Sequence, residues 1–247
     1  MYTYAIGDIH GCYNKFLNML DAINFQEDDE IICVGDYIDR GMQSFEMLKW
    51  IEDYPYNFML IQGNHEAEFI VNIEILKKFA NKIGINDNDI NDSKLLYQTI
   101  CKIPQIQNAY FDNYRTIYEL IFNHDMPLSQ LVIWADIMSK MPFMYVKRIN
   151  NIKHIIIHAG YNDDNNINTY IYGRCESYSK DTIIVAGHTP TIFYDEFAYN
   201  NGNVYKSYNK KLNSMYINVD CGCAYNNQYH NAKLACIRLE DMKEYYV

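Results

Sequence analysis

Three short apolar runs, each closed by glycine or a polar residue, mark the first quarter of the chain: Thr3 to Ile6, Ile31 to Val34 and Phe58 to Ile61. Their length and β-branched content predict buried strands. Between them apolar positions recur at helical spacing, at Phe16, Leu17, Leu20 and Ile23 within Lys15 to Ile23, and at Phe45, Leu48 and Ile51 within Ser44 to Glu52. The order is β-α-β-α-β. Right-handed crossovers between parallel strands place their carboxyl ends on one sheet edge, where open α/β sheets carry ligands.

From Glu66 to Lys140 the pattern turns helical and polar, with Leu131, Trp134, Met138 and Met141 marking one apolar face. This predicts a helical insertion at about 67–141, ended by Pro142. The Asn150-Asn151 pair predicts a hairpin between Phe143 to Lys147 and Lys153 to Ile157. Further strands are predicted at Ile183 to Val185, Tyr216 to Val219 and Leu234 to Leu239, and Tyr161 to Asn168 (YNDDNNIN) reads as a polar surface loop. No linker rich in proline, glycine or serine interrupts the 247 residues, which are read as one domain.

The strand ends are where the polar motifs fall. GDIHG follows the first strand, GDYIDRG the second and GNHE the third, while HAG, AGHTP and DCG follow three of the later ones. Asp8 to Asp36 and Asp36 to Asn64 are each 28 residues, close to the length of one βαβ unit, so residues dispersed in sequence should meet in space. The collected set is Asp8, His10, Asp36, Asn64, His158 and His188. Carboxylate, amide oxygen and imidazole together suit Mn, Fe, Zn, Co or Ni rather than the all-oxygen shells of Ca and Mg. Six ligands are too many for one ion with an open position. With one bridging carboxylate they suit two ions about 3.5 Å apart, an arrangement that activates water for in-line attack on phosphorus. Asp36, midway in the series, is the expected bridge. Each motif alone has an ordinary explanation, a turn with Asx caps or a hydrogen-bonded histidine. Their arrival in order at successive strand ends does not.

Charge and cysteine content narrow the function classes. The balance of 21 basic against 31 acidic residues, −10 in all, argues against a broad nucleic-acid-binding face. The start, MYTYAIGDIHG, has no basic region leading into a long apolar stretch, so neither a signal peptide nor a transmembrane helix is expected, and the predicted location is cytoplasmic. Cys12, Cys33, Cys101, Cys175, Cys221, Cys223 and Cys236 form no paired C-x-x-C knuckles and are expected as reduced, buried thiols rather than a zinc site.

GDIHGCY at 7–13, GDYIDRG at 35–41, GNHE at 63–66, HAG at 158–160 and GHTP at 187–190 resemble the calcineurin-like metallophosphoesterases. Within them they are similar to the bacterial and phage-type serine/threonine phosphatases of the phosphoprotein phosphatase family. The resemblance runs from Tyr4 to about Asp241. It implies an α/β (α+β) sandwich of two mixed β-sheets flanked by helices, with two divalent metal ions, Mn foremost, at the strand ends. It assigns Asp8, His10 and Asp36 to one ion, and Asp36, Asn64, His158 and His188 to the other. It also implies His65 as the general acid for the leaving alkoxide, Asp39 as the support of its imidazolium, and Arg40 as a fork on the phosphoryl oxygens. Arg174, in Tyr172-Gly173-Arg174, is the implied second phosphate-binding arginine. Met42 stands where the family has proline after D-R-G, which leaves that turn less fixed. The late strand reads Asn218-Val219-Asp220-Cys221-Gly222 in place of N-x-D-T-G, so Asp220 either supports the ligands or serves a turn. His124, His154 and His230 match no motif and are read as structural.

The resemblance implies a metal-dependent phosphomonoesterase acting on phosphoserine or phosphothreonine in proteins, through a metal-activated hydroxide and no phosphoenzyme. The alternative is a symmetrical bis(5'-nucleosyl)-tetraphosphatase, which is similar over the same motifs. Glu66 and Asp39 weigh against it, because relatives of that kind carry GNHD and lack the Asp before Arg-Gly. The expected partner is a phosphorylated protein or a small phosphoester, with no nucleic acid and no membrane. A binding module without turnover would have lost His65, Asp39 or a ligand, and none is lost. A nuclease is disfavoured by the acidic balance and by the short pair Arg40 and Arg174. Substrate choice is expected to reside in the insertion.

Overall fold

A computed structural model describes residues 1–100, 111–163, 166–174, 176–193 and 202–247. The first three strands, β1 (Thr3–Ile6), β2 (Glu30–Cys33) and β3 (Phe58–Leu60), alternate with α1 (Tyr13–Ala22) and α2 (Ser44–Glu52) and pair in parallel. The insertion holds α3 (Asn64–Ile83), α4 (Ile90–Ile100), α5 (Phe111–Phe122) and α6 (Leu128–Ser139). There follow β4 (Met144–Ile149), β5 (Ile152–Ile157), α7 (Ile167–Tyr172), β6 (Thr182–Ala186), β7 (Tyr205–Asn209), β8 (Ser214–Asn218), β9 (Ala235–Arg238) and β10 (Lys243–Tyr246). They make two mixed five-stranded sheets, ordered β10-β9-β1-β2-β3 and β4-β5-β6-β8-β7.

Alternation along each strand builds three apolar layers. Ala5, Ile32 and Val34 of the first sheet face Ile156, Val185, Ile217 and Val219 of the second, forming the core between the sheets. Tyr4, Ile6, Ile31, Cys33 and Leu60 turn the other way and pack under α1, α2 and the insertion with Phe16, Leu48 and Trp134. Ile155, Ile157, Ile184 and Tyr216 form the outer face of the second sheet, covered by Tyr170 of α7. Leu131, Trp134, Met138 and Met141 are all buried, so the apolar face expected in the insertion is the face that packs. Leu17 is not part of the core: it is exposed, and Met19 takes the buried place on α1.

The hairpin of β4 and β5 closes on Asn150 and Asn151, both with positive φ, as a two-residue turn that suits the strand twist requires. Edge strands β7 and β10 had no clear signal, since their residues are half exposed and polar. The polar loop expected over Tyr161 to Asn168 is shorter than predicted. Ile167 and Asn168 open α7, where the Asn166 side chain accepts from the Asn168 N–H, and Asp164 and Asn165 lie outside the described residues. Cys101 and Cys175 also lie outside them; the other five cysteines are free thiols, buried or half-buried. His124 stacks on Phe45, His154 is buried with Nδ1 against the Ile152 carbonyl, and His230 is exposed.

Candidate dinuclear metal site

The carboxyl ends of β1, β2, β3, β5 and β6 converge, and the backbone there is held in conformations that chains seldom adopt. His10, Asp36, Asp39, Arg40 and His188 all have positive φ, between 46° and 69°. Such left-handed non-glycine residues cost on the order of 1–3 kcal/mol each and persist only where surrounding contacts over-determine them. Those contacts are present. The Ile9 and His10 N–H groups donate to the Asp36 carbonyl at 3.1 and 2.8 Å, and the Gly11 N–H to Tyr37 at 2.8 Å, so the loops after β1 and β2 interlock. Tyr37 Oη lies 3.1 and 2.8 Å from the carbonyl oxygens of Cys33 and Ile61, tying β2 to β3.

Glu66, fully buried in the first turn of α3, gathers three backbone donors. Its Oε2 accepts from Asp36 at 2.8 Å and from Gly63 at 3.0 Å, and its Oε1 accepts from Tyr37 at 2.8 Å. The same turn presents Asn64 and His65, and the His65 N–H donates to Asp36 Oδ1 at 3.1 Å, aiming the positive helix end at that carboxylate. Gly63 permits this approach: a Cβ there would sit 2.3 Å from Asp36 Oδ1.

Asp36 stands between two groups of side chains. Its Oδ2 faces His10 Nε2 at 3.5 Å and His65 Nε2 at 3.9 Å, while its Oδ1 faces His158 Nε2 at 3.4 Å. Among the described residues the sets able to hold a cation are His10, Asp36 and His65, and Asp36, His158 and His188. The amide oxygen of Asn64 joins the second set, 3.1 Å from His158 Nε2 and 2.9 Å from His188 Nδ1, and the two rings approach to 3.1 Å.

The rings are oriented from behind. The Nδ1 of His10 faces the Ile38 carbonyl at 3.0 Å and that of His158 faces the Val34 carbonyl at 3.0 Å, so each Nε2 presents a lone pair inward. His158 Nε2 and Asn64 Oδ1 are then two acceptors face to face, an arrangement that a cation relieves. Burial holds His10, His158 and His188 below the usual imidazole range, His188 at about 3, which keeps them neutral as ligands must be. Burial opposes ionisation of Asp36, but His158, His65, His10 and His188 outweigh it and hold its carboxyl well below the usual carboxylate range. The residues present fit a pair of divalent ions sharing Asp36.

Asp8 lies beside this arrangement rather than within either set. It accepts from the His188 N–H at 3.0 Å, and burial, then Asp220 and Asp36, push its carboxyl up. Asp220 is buried, accepts from the Gly222 N–H at 2.9 Å, and is raised by burial to about 7. Two buried carboxyls this close to Asp36 are acids in need of positive charge, which a dication supplies.

The other face of the site carries protons. His65 Nδ1 lies 2.6 Å from Asp39 Oδ2; burial works against the imidazolium, but Asp36 and Asp39 prevail and raise His65 to about 9. The Asp39 N–H donates to Ser44 Oγ at 3.0 Å, and Thr116 Oγ1 of α5 donates to Asp39 Oδ1. Arg40 reaches between the histidines, with Nη1 2.9 Å from His10 Nε2 and Nη2 3.1 Å from His65 Nε2, and its guanidinium lies 5.6 Å from the centre of the Tyr225 ring. Arg174, exposed just past α7, is the outlier of the expected set: its charge acts on His188, but it makes no contact with the centre comparable to that of Arg40.

Sequence reasoning used Glu66 only to tell substrates apart and missed it as the clamp on the Asp36 loop, although its place three residues after Gly63 is a helix-capping signal. It missed Thr116 altogether, for which no local pattern exists.

The sequence model for calcineurin-like phosphoesterases matches residues 1–221. A symmetrical bis(5'-nucleosyl)-tetraphosphatase of Wigglesworthia glossinidia brevipalpis is 36% identical over 109 residues, which is 43% of this chain and 40% of that protein. The match thus spans less than half of the relative's length. In three dimensions the chain is similar to a protein assigned as a diadenosine tetraphosphatase, with TM-score 0.58 and 16% identity over 99% of this chain and 92% of that one. It is also similar to a Saccharomyces cerevisiae protein serine/threonine phosphatase, with TM-score 0.55 and 13% identity over 100% of this chain and 79% of that one. At such identities the structural likeness shows the fold alone.

Proposed function

The chain belongs to the calcineurin-like phosphoesterase family, and we propose that it is a metal-dependent phosphohydrolase whose substrates are dinucleoside tetraphosphates. The observation that carries the hydrolytic reading is Asp36, with one carboxylate oxygen turned to each ligand set. When bound, two divalent ions supply an acidified water and offset the charge that develops on the phosphoryl oxygens. His10 would serve one ion, with Asp8 drawn in beside it; Asn64, His158 and His188 would serve the other. Asp36 would serve both.

The chain's own residues do the rest. Arg40 presents two guanidinium nitrogens to the centre and orients a phosphoryl group. His65, kept charged by Asp39, is a proton donor rather than a ligand, and it delivers its proton to the oxygen that leaves phosphorus. Arg174 contributes long-range charge to the anion. Asp220 holds the loop that follows His188, its backbone carbonyl accepting from the Thr191 N–H at 2.8 Å.

The substrate class rests on the tetraphosphatase relatives, which outweigh the expectation of a protein phosphatase drawn from motif details. The second reading, a phosphoserine or phosphothreonine phosphatase, keeps specific support in the His65–Asp39 pair and the Glu66 clamp. Among the described residues no helix is long and apolar enough to cross a membrane, which is compatible with either substrate. Steady-state hydrolysis of diadenosine tetraphosphate against a phosphopeptide panel, with Mn present and then chelated, separates the readings. Preference for phosphopeptides overturns the substrate class, and activity undiminished by chelation overturns metal dependence.

A further inference from the structure

A groove of about 420 Å³ opens beside Arg40, between the start of α1, the turn after GDYIDRG, α5 and the turn after Cys223. Lys15, Arg40 and Arg115 line it with the amide side chains of Asn14, Gln43 and Gln228, and among the described residues no acidic side chain lines it. In a chain of net charge −10 that is an unusual local composition, and a cleft of one sign concentrates ligands of the other. Arg40 adjoins both the groove and the centre, because it also touches His10 and His65.

Arg115 is held there by two contacts. Its Nε donates to Glu119 Oε1 at 3.1 Å, and its Nη2 donates to the thioether of Met42 at 3.3 Å. Met42 is itself 72% exposed, so a large apolar side chain is spent on the surface under a guanidinium. The next residue of α5, Thr116, donates to Asp39. The helix therefore meets the GDYIDRG loop at two successive residues, and both contacts of Arg115 keep its guanidinium on the groove side of α5.

We propose that this groove is a neighbouring-phosphate subsite for a nucleoside oligophosphate. Arg115 and Lys15 pair with the phosphates next to the one at Arg40, and the amides meet the polar edges of ribose or base. A short groove with three cations suits consecutive phosphates better than acidic side chains spread along a peptide. The inference deepens the phosphohydrolase reading and rests on it.

The test uses the metal-loaded full chain with divalent metal in excess over phosphate. In Arg115→Ala the KM for diadenosine tetraphosphate rises about tenfold relative to that for p-nitrophenyl phosphate, which has no neighbouring phosphate, and Arg115→Lys recovers part of it. Met42→Leu, which keeps the volume and removes the acceptor, moves the ratio the same way by less. An unchanged ratio overturns the proposal. If the wild-type chain does not hydrolyse the tetraphosphate, the substrate class falls, and the groove is judged by tripolyphosphate inhibition of p-nitrophenyl phosphate hydrolysis. Weaker inhibition in Arg115→Ala then supports the subsite, and equal inhibition overturns it. An acidic phosphopeptide whose KM depends on Arg115 more than the tetraphosphate's does would assign the groove to peptides and overturn the oligophosphate.

Discussion

His158 and His65 are both buried imidazoles within 4 Å of an Asp36 oxygen, at 3.4 and 3.9 Å, yet their environments drive them apart. His158 gives its Nδ1 to a backbone carbonyl, and burial holds it neutral. His65 gives its Nδ1 to Asp39, and the carboxylates raise it to about 9. Under the proposed function the first would present a lone pair to a cation and the second a proton to a leaving group. Residue type does not separate the neutral imidazole from the charged one here; the atom behind the ring does.

Asp36→Asn attacks what the two halves share. It should lower turnover by about 1,000-fold or more, roughly 4 kcal/mol of transition-state stabilisation, and reduce bound metal measured by elemental analysis. Full metal content and near-normal turnover would mean the halves do not depend on that bridge. Glu66→Ala leaves three buried backbone N–H groups of the Asp36 loop and α3 unpaired and should cost about 3 kcal/mol in denaturant unfolding.

His65→Asn tests the proton side alone. Turnover of an alkyl phosphomonoester should drop about 100-fold while bound metal is retained, and less for the tetraphosphate, whose leaving phosphate is a weaker base. Metal loss in that variant would move His65 into the ligand set. Thr116→Val takes one hydrogen bond from Asp39 and should lower kcat by up to about tenfold, with Thr116→Ser restoring it. An unaltered kcat would leave Thr116 with a packing role only.

The helix-strand alternation, the insertion and the convergence of the strand-end polar motifs were legible in the chain because each depends on local patterning: apolar period, turn residues, and polar motifs recurring one βαβ unit apart. Edge strands β7 and β10 were not, since an exposed strand lacks a buried face to mark it.

The placing of Asp8, His10, Asp36, Asn64, His158 and His188 at strand ends was thus determined by the sequence, and their approach follows from parallel strands sharing one edge. Which carboxylate oxygen faces which ring, which histidine keeps its proton, and the fastening of α5 through Thr116 to Asp39 and Arg115 to Met42 were decided only by the tertiary structure. Those contacts join residues 77 and 73 positions apart, and at that separation no local pattern specifies a side-chain partner; packing of the insertion against the GDYIDRG loop does.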